Sequence, residues 1–236
     1  MLIVLIHWVT IIFISLSFGN VLVSLWNKIL KKEEGYSFFD TFYLGLAFIS
    51  ALAVLLSLFF PLNIYILLCF IVFSAVYWIF NRKLIVKLYN MMRQTVSSLS
   101  LLTKITLLLV IAIVAVRAVQ APLIYDLGLY HQQSMMWTEQ YSVVPGLGNL
   151  HGRLAFNSSH LILNTLFSYH PDYYAPLTTL NCLGSLIFFI WLVMKADRAK
   201  SVFLIIGVFC SFAFIFFPLS PYLSSTSTDI LPGILI

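Results

Sequence analysis

The run TFYLGLAFISALAVLLSLFFPLNIYILLCFIVFSAVYWIF, Thr41 to Phe80, contains no Asp, Glu, Lys, Arg or His. Pro61 divides it into Thr41–Phe60 and Leu62–Phe80, each close to the roughly 20 apolar residues that a helix needs to cross a bilayer. A proline does not continue a helix, and so short a break leaves room only for a hairpin. Within hydrocarbon the backbone must satisfy its own hydrogen bonds, which restricts such paired runs to helices. The fold class read from this stretch is therefore all-α, a polytopic transmembrane helical bundle.

The rest of the chain agrees. Its 236 residues are 61% hydrophobic and 9% charged, with a mean hydropathy of +1.02, well outside the composition of a soluble domain. Further spans are expected at about 1–26, 105–119, 175–194 and 201–218, with 41–60 and 62–80 between the first two. The first lacks a basic leader and a small-residue cleavage site, so it reads as a retained helix. A seventh begins near residue 230 in LPGILI, the pattern of a chain that continues, and the sequence reads as an N-terminal fragment forming a single domain over 1–236. Cys69, Cys182 and Cys210 lie in apolar runs without a CxxC, and buried free thiols are expected there.

A net charge of +5 could suggest a nucleic-acid partner, but the placement of the charges gives another reading. Lys28, Lys31 and Lys32 follow the first span. Arg82, Lys83, Lys87, Arg93 and Lys104 follow the third, and Lys195, Arg198 and Lys200 follow the fifth, so eleven of the thirteen cations fall on one side. That is the positive-inside bias, with no nucleic acid implied. It puts the N-terminus, the 120–174 loop and the 221–229 loop on the extracytoplasmic face. The 81–104 segment, basic residues interleaved with Leu84, Ile85, Leu88, Met91 and Met92, reads as a helix lying on the inner surface.

Loop 120–174 holds most of the polar chemistry. From Asp126 the sequence DLGLYHQQSMMWTEQY has helical spacing, which sets Asp126, Tyr130, Gln133, Trp137 and Tyr141 on one face. Asp126 is either a helix N-cap or a site carboxylate. Pro145, Gly146, Gly148 and Gly152 predict tight turns, and the glycine spacing matches neither a dinucleotide fingerprint nor a P-loop. His151 and Arg153 stand together there, suited to a phosphate or to an ion pair with Asp126, Glu139 or Asp172. Asn157–Ser159 can cap a short helix through Tyr169 with an apolar side of Leu161, Ile162, Leu163, Leu166 and Phe167, too short to span and expected in the outer interface. His160 and His170 read as packing or capping residues. Tyr169, Tyr173 and Tyr174 suit an aromatic belt. Asp229 brings a second carboxylate to the same face.

An acidic residue opening an extracytoplasmic loop, followed by in-plane helices, resembles the GT-C glycosyltransferases of lipid-linked sugar pathways. YDLGLYH (125–131) and VPGLGNLHGRLAFNSS (144–159) are similar to an uncharacterised bacterial family of polytopic membrane proteins with this layout. The chain differs from the familiar enzymes in placing four spans before the loop and in carrying a single Asp where they carry an acidic pair.

The resemblance implies a GT-C-like fold in the bacterial inner membrane. It implies a polyprenyl-phosphate-linked sugar as donor, a glycan, lipid or protein as acceptor, and an inverting transfer. Asp126 would be the general base, while Arg153, His151 and Arg117 would meet the donor phosphate. Tyr130, His131, Trp137, Asn149, Asn157 and Asp229 would bind substrate. No cofactor is required; a divalent cation between Asp126 and Asp229 is an option. Two other classes fit the same sequence: a transporter or polymerase of lipid-linked glycans, with its ionisable groups nearer the midplane, and a non-catalytic membrane scaffold.

Overall fold

The computed structural model describes residues 1–31, 36–120, 124–168, 177–199, 201–216 and 220–231, and within them the chain is helical. α1 (Leu2–Leu30) buries a stripe through Val4, Trp8, Ile11, Ser15 and Phe18, at the three- and four-residue steps of one helix face. It ends at Lys31, whose positive φ of 51° closes the last turn in the left-handed region. α2 (Phe38–Ser57) starts three residues before the expected span because Ser37 and Asp40 form a reciprocal capping box. Asp40 thus belongs to the first turn of the helix, and its charge complements the helix dipole there.

α1 and α2 pack at backbone distance. A Cβ built on Gly19 would lie 2.0 Å from the Thr41 carbonyl oxygen, and one on Gly45 1.8 Å from that of Ser15. Small residues of this kind let membrane helices approach closely where no hydrophobic effect drives association.

α3 (Ile64–Phe80) is capped by Asn63, whose side chain accepts from the Tyr65 amide. Its Ser74 hydroxyl meets Ser17 of α1 at 2.6 Å, while Phe70 and Phe73 pack on Phe18. α4 (Arg82–Ser98) leaves α3 at 88° and buries no residue, with Leu84 and Leu88 resting on the core. The amphipathic basic helix expected after the third span is therefore a separate element set across the bundle axis.

α5 (Leu101–Ala118) takes in Lys104. Its N-cap is Ser100, and Asp197 accepts from the Ser100 amide and the Thr103 hydroxyl. Within the 120–174 loop, α6 (Gln132–Gln140) and α7 (Ser159–Leu166) lead to α8 (Leu180–Ala199), α9 (Val202–Phe216) and α10 (Ser220–Leu223). α8 keeps Lys195, Asp197 and Arg198 helical, where the sequence suggests a loop.

α1, α2, α5 and α8 are long and apolar enough to cross a membrane; α3 with α4 adds a fifth as a bent pair, and α9 is a shorter apolar helix. In its most apolar window α8 is 61% buried against 28% for α5, so α8 is central and α5 peripheral. Exposed apolar residues such as Ile6 and Val9 on α1, Leu68 and Val72 on α3 and Leu108 and Leu109 on α5 make a surface that water does not tolerate and lipid covers. The protein is a multi-pass membrane protein associated with the bilayer.

Several expectations change. Cys182 is buried, but Cys69 and Cys210 lie on the exposed side of their helices. α7 is capped by Ser158 as expected but stops at Leu166, and Leu161 through Phe167 are all buried, polar Asn164 and Thr165 included. Its exposure is confined to the first turn, where Ser159 is exposed and His160 half-buried. The start of the fifth span at 175, the end of the sixth at 218, the seventh beyond residue 231, and Tyr169, His170, Asp172, Tyr173 and Tyr174 lie outside the described residues.

Candidate functional site

The loop helix is not regular. Leu127–His131 form a π-turn, continued by α6, with the Gln132 amide bonded to the Leu127 carbonyl. The wider turn admits one more residue than an α-turn does, so the face predicted from regular spacing is displaced: Tyr130 and Ser134 follow Asp126 along the rod, and Gln133 is exposed. Asp126 precedes this turn without capping it through its side chain, which removes the plain structural explanation for an acid at this position.

Its carboxylate has another partner. Arg153 Nη1 donates to Asp126 Oδ1 at 2.6 Å, and the guanidinium carbon lies 5.1 Å from the centre of the Tyr130 ring. The arginine is thus held by charge on one side and by a π-face on the other. Both partners remain reachable, with side chains 42% and 45% exposed. Arg153 sits in a short 3₁₀ turn, Gly152–Ala155, whose start is capped by His151: the Arg153 amide donates to His151 Nδ1 at 3.3 Å. That contact requires an unprotonated Nδ1, leaving Nε2 as the other ring position. The preceding Gly146 has φ 87°, open to glycine at no steric cost, and the Asn149 amide closes its 3₁₀ turn on the Gly146 carbonyl.

Behind Tyr130 the site runs inward. The ring of His131 meets Tyr130 edge-on at 4.3 Å, and its Nδ1 lies 3.0 Å from the Thr226 hydroxyl. Thr226 belongs to Ser224–Ser227, which the sequence presents as an exposed loop and the structure buries. The carbonyls of Ser225 and Ser227 both accept from Asn181 Nδ2 on α8, each at 2.9 Å. Hydroxyl side chains without a charge tolerate such burial once the backbone beside them is paired.

Burial lowers the pKa of His131, with Arg153 acting in the same direction and Asp126 and Asp229 opposing. His160 on α7 is pushed down to about 4, again by burial first and then by His131, against Asp229 and the Ser227 backbone. Both imidazoles are neutral at pH 7. Among the described residues, Nε2 of each finds no hydrogen-bond partner.

A cavity of about 310 Å³ opens between α6 and the loop that carries Arg153, lined by Ser134, Trp137, Thr138 and Tyr141 of the α6 segment, by Leu154 and Asn157 of the following loop, and by neighbouring residues. Backbone bonds hold it to the membrane hairpin: the Leu62 amide donates to the Thr138 carbonyl at 2.8 Å, and the Val143 amide to that of Ser57 at 2.9 Å.

The structure thus gathers Asp126, Arg153, Tyr130, His131 and His151 along one path, with Asp229 acting electrostatically on its inner end. Trp137 and Asn157 belong to the cavity. Asn149 is exposed in its turn and absent from the cavity wall, and Arg117, at the end of α5, bonds Gln120. Among the described residues no group of three or more His, Cys, Asp or Glu could hold a metal. Sequence reasoning missed Thr226, Asn181, Ser134 and the burial of His160. The one available signal was the unbroken hydroxyl run SSTST ahead of Asp229.

The whole chain, residues 1–236, matches the family model described as Domain of unknown function (DUF8201), and the protein belongs to that family. No curated protein and no solved structure matches it.

Proposed function

We propose that this DUF8201 chain is a membrane glycosyltransferase of GT-C type that moves a sugar from a polyprenyl-phosphate donor to an acceptor outside the cytoplasm, in the bacterial inner membrane. The observation that carries the reading is the exposed Asp126–Arg153 pair over Tyr130, with a cavity between α6 and the loop that carries Arg153, at the end of an apolar bundle. On this reading α6 and α7 lie across the outer ends of the spans, in the plane of the membrane.

Asp126 takes the proton of the acceptor hydroxyl as that oxygen bonds to the anomeric carbon, and the polyprenyl phosphate leaves with the electron pair of the broken bond. Attack opposite the leaving group inverts the anomeric centre. A guanidinium has five N–H donors, of which the Asp126 contact uses one, so Arg153 can hold the carboxylate and offset charge on the leaving phosphate together. His151 Nε2 is the second donor at that position. Arg117 would join only through a donor long enough to reach the end of α5. No cofactor is needed, and a divalent cation between Asp126 and Asp229 would compete with Arg153.

The buried polar segment Ser224–Ser227 favours a second reading. Polar groups pointing into a membrane bundle are what a path for a glycan or an ion requires. The deciding experiment is sugar transfer from radiolabelled polyprenyl-phosphate donors in membranes carrying the protein, compared with Asp126→Asn at matched expression. Transfer that falls about a hundredfold in the variant supports the enzyme. Donor binding without transfer to any of a broad set of acceptors rejects it and leaves passage or a scaffold.

A further inference from the structure

We infer that the cavity between α6 and the 142–158 loop binds a neutral saccharide, the non-charged end of a mono- or disaccharide. The assignment of that sugar as the acceptor rests on the glycosyltransferase reading, while the binding itself does not.

Three features select the ligand. Among the described residues no Asp, Glu, Lys, Arg or His lines the cavity, so a phosphate, carboxylate or amine would be desolvated there without a counter-charge. Along one wall the rings of Trp137 and Tyr141 sit 5.3 Å apart at 40°, an aromatic surface suited to the C–H face of a pyranose. Hydroxyl and amide groups complete the lining, among them Ser57, Thr138, Ser142 and Asn157. A ligand with an apolar face and a hydroxyl rim satisfies all three.

Size and position agree. A volume of about 310 Å³ sits at the small end of ligand pockets, large enough for a sugar end and too small for a long oligosaccharide. Leu154, a lining residue, follows Arg153 in the same 3₁₀ turn, so one turn of the loop carries both the arginine and part of the cavity lining. Ser134 lies on the face of the rod that begins at Asp126, about 12 Å along it at helical rise. A saccharide lying along α6 with one face on the aromatic wall therefore has its other end directed along the rod toward the carboxylate.

The test is saturation-transfer-difference NMR on the whole protein in lipid nanodiscs, with cellobiose and methyl β-galactoside as neutral probes and glucuronate and glucose 6-phosphate as anionic ones. Neutral probes are expected to bind at least about tenfold more tightly than the anions, to weaken about tenfold or more in Trp137→Ala, and to recover in Trp137→Phe. No neutral binding, unchanged binding in Trp137→Ala, or preference for the anions overturns the inference. Transfer measured on the same wild-type protein separates the two ideas: neutral-sugar binding without transfer removes the enzyme and keeps the site. Transfer without such binding does the reverse.

Discussion

Arg153 reaches back across 27 residues to place Nη1 2.6 Å from Asp126 Oδ1, although both side chains stay nearly half exposed. An exposed pair of this kind contributes only about 0–1 kcal/mol to stability. The fold therefore does not depend on it, and its chemistry can be read separately from its structural role. Asp126→Asn and Arg153→Ala should each leave the thermal transition of the protein in detergent within about 2 °C of wild type while removing transfer. A fall well beyond that would mark the pair as a structural clamp.

The α1–α2 contact should behave in the opposite way. Gly45→Ala drives a methyl group into the Ser15 carbonyl and Gly19→Ala into that of Thr41, and neither helix can shift without moving the bundle. Each should cost about 3 kcal/mol or more, seen as lost monodisperse protein on size exclusion. Gly207→Ala on α9, where nothing among the described residues lies within 4 Å of the added carbon, is the control and should be neutral or slightly stabilising.

Asn181 ties two carbonyls of the buried hydroxyl run, and Thr226 meets His131 Nδ1. Asn181→Leu strands both carbonyls and should destabilise by about 2–4 kcal/mol, with Thr226→Val costing about 1–3. In a heated-detergent assay Asn181→Leu should lower the midpoint by roughly 5–10 °C and Thr226→Val by less. Equal midpoints for wild type and Asn181→Leu would mean that the segment is not held as described.

His160 sets a pH window. Its folded value of about 4 lies below the ordinary 6.5, so between these values the unfolded chain binds the proton and the folded one does not. Stability is then complete above about pH 6.5 and is lost as pH falls toward 4, by about 3 kcal/mol at the lower limit. His131 is shifted in the same direction and adds to the loss. His160→Asn should flatten the midpoint-versus-pH curve across this window; an unchanged slope would assign the acid sensitivity elsewhere.

Orientation is testable without activity. In a background of Cys69→Ser and Cys210→Ser, an impermeant maleimide should label Leu150→Cys in intact cells, and Val86→Cys on α4 only after lysis. Both positions are exposed. The reverse pattern would invert the proposed topology.

The membrane scaffold was legible because hydrocarbon imposes length and apolarity on every span: the uncharged runs around Pro61 became α2 and α3 within a few residues of the expected bounds. Boundaries moved where caps decide them, as Ser37 and Asp40 do for α2. The Asp126–Arg153 pairing was one of three options that the sequence left open, since charge type does not say which acid a loop brings close. The π-turn was invisible because regular spacing fits Asp126–Tyr141 equally well. The burial of Ser224–Ser227 was missed because hydroxyl-rich sequence reads the same in water as against the amide of Asn181. Only tertiary contact separates those cases.

The two backbone bonds from Leu62 and Val143 to the carbonyls of Thr138 and Ser57 fix the cavity without using a side chain. Shape and taste are thereby uncoupled. Exposed lining residues such as Tyr141 and Phe156 can be exchanged with the backbone frame in place, whereas Leu161 and Ile162 are buried as well as lining and belong to the frame. Retargeting such a pocket is then a question of repainting its walls, with no need to rebuild the room.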